Sequence, residues 1–237
     1  MSKPTIYFIP GTMCDQRLWQ PLWEQLQKTS LITPTLIHLT IPTDKTIDKI
    51  VAYLATQIIN NDSYLVGFSL GGYLASVLAL NYPHKVKQLL LISTMSSALA
   101  NKELKERTRT IDWIKVNGYT SISLRRIHAF LHANACKNQN IVDVIKAMDS
   151  DLGEDVLLHQ LTVTTQRKNL LPKLAQLTIP VTFCIGVQDK IADLKKITAM
   201  TSSSKNIIIH PLNETGHMLP LEQPILLAEI IKNWINQ

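Results

Sequence analysis

Short runs of apolar residues alternate along this chain with longer stretches in which apolar residues recur every three or four positions. The apolar runs are 5–9, 35–39, 64–66, 88–92, 181–186 and 206–210. Helical spacing is found around 18–28, 47–59, 73–82 and 222–235, and Asp44 is a candidate cap for the second of these helices. Wholly apolar strands interleaved with helices are typical of parallel sheets that are buried on both faces. We therefore predict an α/β fold with a doubly wound, mostly parallel sheet of about six strands.

Residues 97–177 interrupt this alternation. They contain several helical patterns and no convincing buried strand. The interruption predicts a core domain formed by 1–96 and 178–237, with 97–177 inserted as a helical cap over a substrate pocket. Twelve Lys and Arg residues and eight Asp and Glu residues fall in this segment, so four of the chain's six excess positive charges belong to the predicted cap.

Composition narrows the class of protein. With 237 residues, of which 46% are hydrophobic, the chain can bury one large core. No apolar run is long enough to cross a membrane, and the N-terminal residues lack the layout of a signal peptide. The three cysteines are odd in number and widely scattered, which indicates a reducing compartment rather than a disulfide framework. We expect a cytoplasmic protein without membrane insertion.

The pentapeptide Gly67-Phe68-Ser69-Leu70-Gly71 lies between an apolar run and a helical stretch. A sharp strand-to-helix turn forces the serine at its apex to a positive φ and exposes the hydroxyl, while the flanking glycines allow close backbone approach. The N-terminus of the helix that follows favours a developing negative charge nearby. This pattern predicts that Ser69 is a nucleophile. The alternative is an inert serine in a tight turn.

A nucleophilic serine needs a base within hydrogen-bond reach, and the base needs an acid that orients it. In a doubly wound sheet such groups lie in the loops after the carboxyl ends of strands. Of the seven histidines, His217 fits this rule, because it follows the last predicted strand and comes directly after a glycine. Asp189 follows the strand that ends at Gly186 and is the predicted acid, with Asp193 as the alternative.

Two backbone N–H groups are needed to hold the negative oxygen of a tetrahedral intermediate. The amide of Leu70, directly after the nucleophile, is one predicted donor. The loop after the first strand supplies the other, for which we predict Thr12, with Met13 as the alternative. The side chains of Met13, Phe68 and Met218 adjoin these groups and are predicted to contact substrate.

Two other patterns suggest different chemistry but lack the partners that it requires. Cys14 has no base near it in its loop and is interpreted as an unreactive thiol in the pocket wall. His128 and His132 are four residues apart, yet no third ligand accompanies them, so no metal site is predicted.

Taken together, these motifs resemble the α/β-hydrolase superfamily from about residue 5 to residue 234. The resemblance is carried by Phe8-Ile9-Pro10-Gly11-Thr12 with Trp19 after it, Gly67-Phe68-Ser69-Leu70-Gly71-Gly72, Gly186-Val187-Gln188-Asp189, and Gly216-His217 with Leu221-Glu222-Gln223-Pro224. The order serine, aspartate, histidine is that of the family. The chain departs from the family pattern at Pro10, where a histidine is usual. It also begins at what would be the third strand, so we expect six parallel strands without the antiparallel edge hairpin.

The resemblance implies a serine hydrolase that cleaves carboxylic esters or thioesters of small to medium acyl groups through an acyl-enzyme, with no metal or organic cofactor. It is closest to the small cytosolic branch that holds carboxylesterases, pimeloyl-acyl-carrier methyl esterases, enol-lactonases and C–C bond hydrolases. Two alternatives stay open at this point. One is C–C bond hydrolysis or lyase chemistry with the same three residues, and the other is a small-molecule receptor with little turnover.

The positive charge of the predicted cap indicates which macromolecules the protein could bind. Arg125, Arg126 and the lysines around them could meet an acyl carrier protein, or they could be ordinary solvated helix faces. The cap lacks the aromatic residues that would stack on bases, so no nucleic acid is expected.

Overall fold

The computed structural model describes residues 3–29 and 33–236. Its single sheet is built from β1 (Thr5–Ile9), β2 (Thr35–His38), β3 (Ser63–Phe68), β4 (Val86–Ile92), β5 (Val181–Gly186) and β6 (Ile207–Leu212). All neighbouring strands are parallel, in the order β2-β1-β3-β4-β5-β6. The central strands β3 and β5 are buried along their whole length, as wholly apolar runs predict. The predicted six-stranded, doubly wound sheet is confirmed.

The helices are α1 (Gln20–Thr29), α2 (Ile47–Gln57), α3 (Leu70–Asn81), α4 (Asn101–Asn117), α5 (Leu124–Phe130), α6 (Gln139–Val163), α7 (Leu171–Leu174), α8 (Leu194–Thr201), α9 (Leu219–Glu222) and α10 (Pro224–Ile235). One helix cap was predicted wrongly. Asp44 does not cap α2, because Thr46 occupies the cap position and the Asp44 carboxylate contacts Lys45.

The hydrophobic core lies in two layers, one on each face of the sheet. Alternate residues of the strands point to opposite faces, so β3 sends Leu65 into one layer and Val66 into the other. Helices α2, α3 and α8 cover the first layer, whereas α1 and α10 cover the second. On the second face Trp19 packs against the rings of Phe8 and Phe68, which ties α1 to the strands that carry the predicted catalytic loops.

Between β4 and β5 the described chain forms the four helices α4 to α7 and no strand. The long helix α6 is interrupted at Gly153, whose φ of 75° lies in the left-handed region that glycine adopts readily. A small apolar cluster of Met13, Ile114 and Leu157 joins these helices to the loop after β1. The division into a core and a cap at residues 97–177 stays a prediction. Within 3–29 and 33–236, no helix has the length and apolar character needed to cross a membrane.

Candidate active site

Ser69 lies at the turn between β3 and α3. Its φ of 50° and ψ of −111° are strained for a residue with a side chain, and α3 begins at the next residue, Leu70. This is the sharp turn that the sequence predicts. It points the serine hydroxyl away from the sheet and leaves the first N–H groups of α3 beside it.

The two glycines of the turn are required by close backbone contact. A Cβ added at Gly71 would lie 2.1 Å from the carbonyl oxygen of Ile9, and one at Gly67 would lie 2.4 Å from that of Gly71. Distances this short exclude any side chain at either position. The glycines therefore allow the end of β1 and the loop after it to lie directly against the turn that carries Ser69.

Asp189 lies in the turn after β5. Its Oδ1 accepts hydrogen bonds from the backbone N–H groups of Ile191 (2.7 Å) and Ala192 (2.9 Å), which fix the carboxylate in place. The alternative acid, Asp193, is exposed and caps α8 by accepting a hydrogen bond from the Lys196 backbone N–H. Of the two candidates, Asp189 is the one that contacts the predicted base.

His217 follows β6 and contacts both other members of the predicted triad. Its Nε2 lies 3.0 Å from Ser69 Oγ, and its Nδ1 lies 2.9 Å from Asp189 Oδ2. The His217 backbone N–H donates to the Phe130 carbonyl at 2.6 Å, and the imidazole packs against the rings of Phe68 and Phe130. These contacts hold the ring in one orientation.

The hydrogen bonds among the three groups determine which ring nitrogen of His217 carries the proton. An ionised carboxylate only accepts hydrogen bonds, so Asp189 Oδ2 requires a proton on His217 Nδ1 and leaves Nε2 free to accept from Ser69 Oγ. The His217 side chain is 6% exposed and the Asp189 side chain is 0% exposed. Bulk water therefore competes little with these hydrogen bonds, and the geometry suits general-base activation of the serine hydroxyl.

The predicted donors to an oxyanion differ in their hydrogen bonds. Among the described residues, no acceptor engages the backbone N–H of Thr12 or of Leu70. The backbone N–H of Met13 donates instead to Gln160 Oε1, at 3.0 Å. Met13 is therefore occupied, while Thr12 and Leu70 retain free donors next to Ser69.

A cavity of about 840 Å³ opens onto Ser69 and His217. Its wall includes Met13, Phe68 and Met218, the three residues predicted to contact substrate, and residues of α4, α5 and α6 line the opposite side. This volume is in the range found for small-molecule sites.

The surroundings of Cys14 and His132 concern the two patterns for which the sequence predicts no reactive thiol and no metal site. Burial, more than any nearby charge, raises the pKa of the Cys14 thiol to about 12, so this wall residue is a neutral thiol at physiological pH. His132 accepts a hydrogen bond from the Asn134 backbone N–H through Nδ1. In the described part of the chain, no three potential metal ligands lie together.

Several residues at the site were not singled out from the sequence. Glu222 Oε2 accepts from the backbone N–H groups of Gly216 (3.0 Å) and His132 (2.8 Å), and so ties the histidine loop to the segment after α5. Burial raises the pKa of Glu222. Gln160 was missed, and so were two arginines of the cavity wall, Arg107 and Arg167. Glu222 belongs to the segment Leu221-Glu222-Gln223-Pro224 that carries part of the family resemblance, but no role was assigned to it from the sequence. Helical spacing alone gives no signal for the other three.

Comparisons with known proteins agree with this architecture. The model of a family described as "alpha/beta hydrolase fold" matches residues 42–224. A curated relative, the biotin biosynthesis bifunctional protein BioHC of Teredinibacter turnerae, is 22% identical over 260 aligned residues. That alignment covers all of this chain and 45% of the relative, so the chain spans about half the length of the protein that it matches.

Solved structures are similar over nearly the whole chain. A thermophilic esterase from Thermogutta terrifontis superposes with a TM-score of 0.83 at 18% identity, covering 99% of this chain and 90% of the esterase. The enol-lactonase from Burkholderia xenovorans superposes with a TM-score of 0.85 at 13% identity, covering 100% and 93% of the two chains. At these identities the likeness concerns the fold.

Proposed function

This chain belongs to the alpha/beta hydrolase fold family, and we propose that it is a serine hydrolase of the carboxylesterase type. Its substrates are esters or thioesters of small to medium acyl groups. The proposal is carried by one observation, the continuous hydrogen bonding from Ser69 Oγ through His217 to Asp189. The family relationship and the esterase among the structural neighbours support it.

In the proposed mechanism His217 Nε2 removes the proton from Ser69 as the serine oxygen attacks the substrate carbonyl. The amides of Thr12 and Leu70 hold the negative oxygen of the tetrahedral intermediate. His217 then protonates the leaving alcohol or thiol, and an acyl-enzyme remains. Water repeats the sequence and releases the acid, while Asp189 stabilises the imidazolium that forms in each half-reaction.

The cavity wall supports a substrate with an apolar acyl group. Near Ser69 the wall is formed by Met13, Phe68 and Met218, and Ile114 and Leu157 contribute to the side under the helices. These side chains offer van der Waals contact to an alkyl chain. The volume of about 840 Å³ leaves room for an acyl chain of moderate length together with a leaving group.

Labelling and turnover test the proposal together. We expect a fluorophosphonate probe to modify Ser69, and p-nitrophenyl acetate and butyrate to be hydrolysed over many turnovers. Ser69→Ala should remove both signals while the circular dichroism spectrum is retained. Ser202→Ala, which changes an exposed serine at the end of α8, is the matched control and should retain both. Labelling that persists in Ser69→Ala contradicts the proposal.

The same experiment separates the two alternatives. A receptor with little turnover would be labelled at Ser69 yet would release one equivalent of nitrophenol and then stop. A C–C bond hydrolase would cleave a vinylogous diketone faster than any ester in the panel. Either result would replace carboxylesterase by the corresponding activity.

The proposed function also includes a partner protein and a cellular location. Arg125 and Arg126, near the start of α5, are exposed and are proposed to dock an acidic acyl carrier protein. Hydrolysis of carrier-linked esters should then fall steeply with salt, while hydrolysis of free short esters should not. A cytoplasmic location is also proposed, and the unpaired thiols of Cys14, Cys136 and Cys184 support it.

A further inference from the structure

Two of the three arginines in the wall of the cavity that contains Ser69 are partly buried, and the third, Arg126, is exposed. Arg107 comes from α4, and Arg167 comes from the segment between α6 and α7. Both are partly buried rather than fully solvated. The proposed mechanism assigns no role to either of them.

Neither arginine has a carboxylate partner. Arg107 Nη1 donates to the neutral hydroxyl oxygen Oγ1 of Thr164, at 2.7 Å. The Arg167 guanidinium lies over the ring of Tyr73, with its Cζ 5.5 Å from the ring centroid, and its buried Nε has no hydrogen-bond acceptor. Within the described residues, no carboxylate oxygen lies within 4.0 Å of a nitrogen of either side chain.

Among the described residues, Glu103 is the acidic residue that acts electrostatically on both arginines. It is exposed, and its Oε2 accepts a hydrogen bond from the Ala100 backbone N–H at the start of α4. Glu103 therefore offsets part of the charge from a distance without forming an ion pair. Across the whole lining, the positive residues Lys102, Arg107, Arg126, Arg167 and Lys190 outnumber the negative residues Glu103, Glu106 and Asp149, so the cavity wall keeps an excess of positive charge.

The pKa values of Arg107 and Arg167 are both lowered, as expected for partly buried arginines without a carboxylate partner. Burial, and then the positive charge of Arg167, lower the pKa of Arg107 to about 10. Burial also lowers the pKa of Arg167. Guanidinium groups stay protonated at neutral pH, so the cavity wall holds two partly buried positive charges.

A structural arginine in the same chain has different surroundings. Arg17 contacts Asp15 at 2.5 Å and Asp151 at 2.7 Å, and these partners raise its pKa. A guanidinium that only braces the fold is thus supplied with carboxylates. A partly buried one without them is costly unless a ligand brings the negative charge.

We propose that Arg107 and Arg167 bind an anionic oxygen group of the substrate, a carboxylate or a phosphate, at a point on the substrate away from the carbonyl that Ser69 attacks. The inference rests on the proposed function for its account of what is hydrolysed. Guanidinium groups present parallel N–H donors that match the two oxygens of such groups. The anion has two possible sources, a carboxylate at the far end of the acyl chain or a phosphate on the leaving group.

Binding is measured first, in the Ser69→Ala protein, so that no turnover is needed. The carboxylate arm compares monomethyl suberate with methyl nonanoate by calorimetry. The phosphate arm compares the acetyl thioester of 4′-phosphopantetheine with that of pantetheine. We expect one charged ligand to bind about 10- to 100-fold more tightly than its neutral partner, as for hydrogen bonds to a charged group. The arm that shows the preference identifies the source of the anion.

Substitutions then assign the preference to the arginines. Arg107→Gln and Arg167→Gln, each made in the Ser69→Ala protein, should reduce the charged-to-neutral affinity ratio about 10-fold or more. Arg109→Gln changes an exposed arginine on the same helix and should retain the ratio. Because each ratio is taken within one protein, a general loss of affinity cancels, and two separate variants guard against misfolding of either one.

The outcomes for this inference and for the proposed function are distinct. Equal affinity for charged and neutral ligands in both arms, or a preference that survives both glutamine variants, overturns the anion site. Hydrolysis of neutral short esters by the unmodified protein is decided separately and tests the proposed function alone. An anion preference in a protein that hydrolyses no ester would leave the binding site standing and refute the hydrolase.

Discussion

Replacing Asp189 by asparagine should move the ring proton of His217 from Nδ1 to Nε2. Asp189 Oδ1 accepts from two backbone N–H groups, those of Ile191 and Ala192. In the variant the amide oxygen must occupy that position, because an NH₂ group there would face two donors. The NH₂ group then replaces Oδ2, 2.9 Å from His217 Nδ1.

A donor at this position changes the tautomer of the histidine. Nδ1 of His217 must accept the hydrogen bond, so the ring proton moves to Nε2, the atom that lies 3.0 Å from Ser69 Oγ. Nε2 can then no longer accept the serine proton. An asparagine in the corresponding position of a serine protease costs about 10⁴ in kcat, which is about 5 kcal/mol of transition-state stabilisation. We expect a loss of this order for Asp189→Asn.

The assay is kcat for p-nitrophenyl butyrate at pH 8, together with the denaturation midpoint in urea. Asp193→Asn is the matched control, because it makes the same change four residues further along, at an exposed helix cap, and should alter kcat by less than about twofold. A folded Asp189→Asn protein with kcat within tenfold of the unmodified value would refute the tautomer argument. An equal loss in Asp193→Asn would do the same for the choice of acid.

Two further predictions concern the turn and the pocket wall. Gly71→Ala should lower the free energy of unfolding by roughly 3 kcal/mol or more, because the new Cβ would lie 2.1 Å from the Ile9 carbonyl oxygen. Gly153→Ala is the comparison: no atom lies within 4 Å of its new Cβ, so only backbone strain at a φ of 75° and a ψ of −177° opposes it, at a cost of about 1 to 3 kcal/mol. A loss in Gly71→Ala that is no larger than the loss in Gly153→Ala in urea denaturation would contradict the close-contact argument. At pH 8 iodoacetamide should alkylate the less buried Cys136 and spare native Cys14, because burial raises the pKa of Cys14 to about 12, above the pH of the assay. Mass spectrometry that finds equal modification of the two thiols would show that Cys14 is accessible and ionised.

The turn at Ser69 was predictable because close backbone contact restricts which residues can flank it. Gly67 and Gly71 are each excluded from carrying a side chain by a backbone oxygen, so the pattern around Ser69 reports a three-dimensional requirement directly. The rule that functional groups follow the carboxyl ends of parallel strands then led to His217 and Asp189. Position directly after the strand favoured Asp189 over Asp193, and the hydrogen bonds in the structure distinguish the two further, because Asp189 contacts His217 and Asp193 caps α8.

The helices between β4 and β5 carry no comparable restriction. Helical spacing predicts that α4 and α6 exist, but it does not tell which polar side chains turn toward a cavity. Arg107 and the exposed Arg109 lie two positions apart on α4, and the helix presents them in different directions. The break in α6 at Gly153 changes the direction of the second half of that helix, which carries Gln160. The cavity-facing residues therefore could not be derived from the sequence.

The turn at the end of α6 links the proposed anion site to the loop that supplies a proposed oxyanion donor. Arg107 donates to Thr164 Oγ1, and Thr164 Oγ1 donates in turn to the Gln160 carbonyl at 2.6 Å. The Gln160 side chain accepts from the Met13 backbone N–H, next to Thr12. Because Arg107 and Met13 are both bonded to this one helical turn, a displacement of α6 would move the group that recognises the anion and the loop beside Ser69 together. The proposed anion recognition and the proposed oxyanion stabilisation thus share one segment, whereas Ser69, Asp189 and His217 follow strands of the sheet.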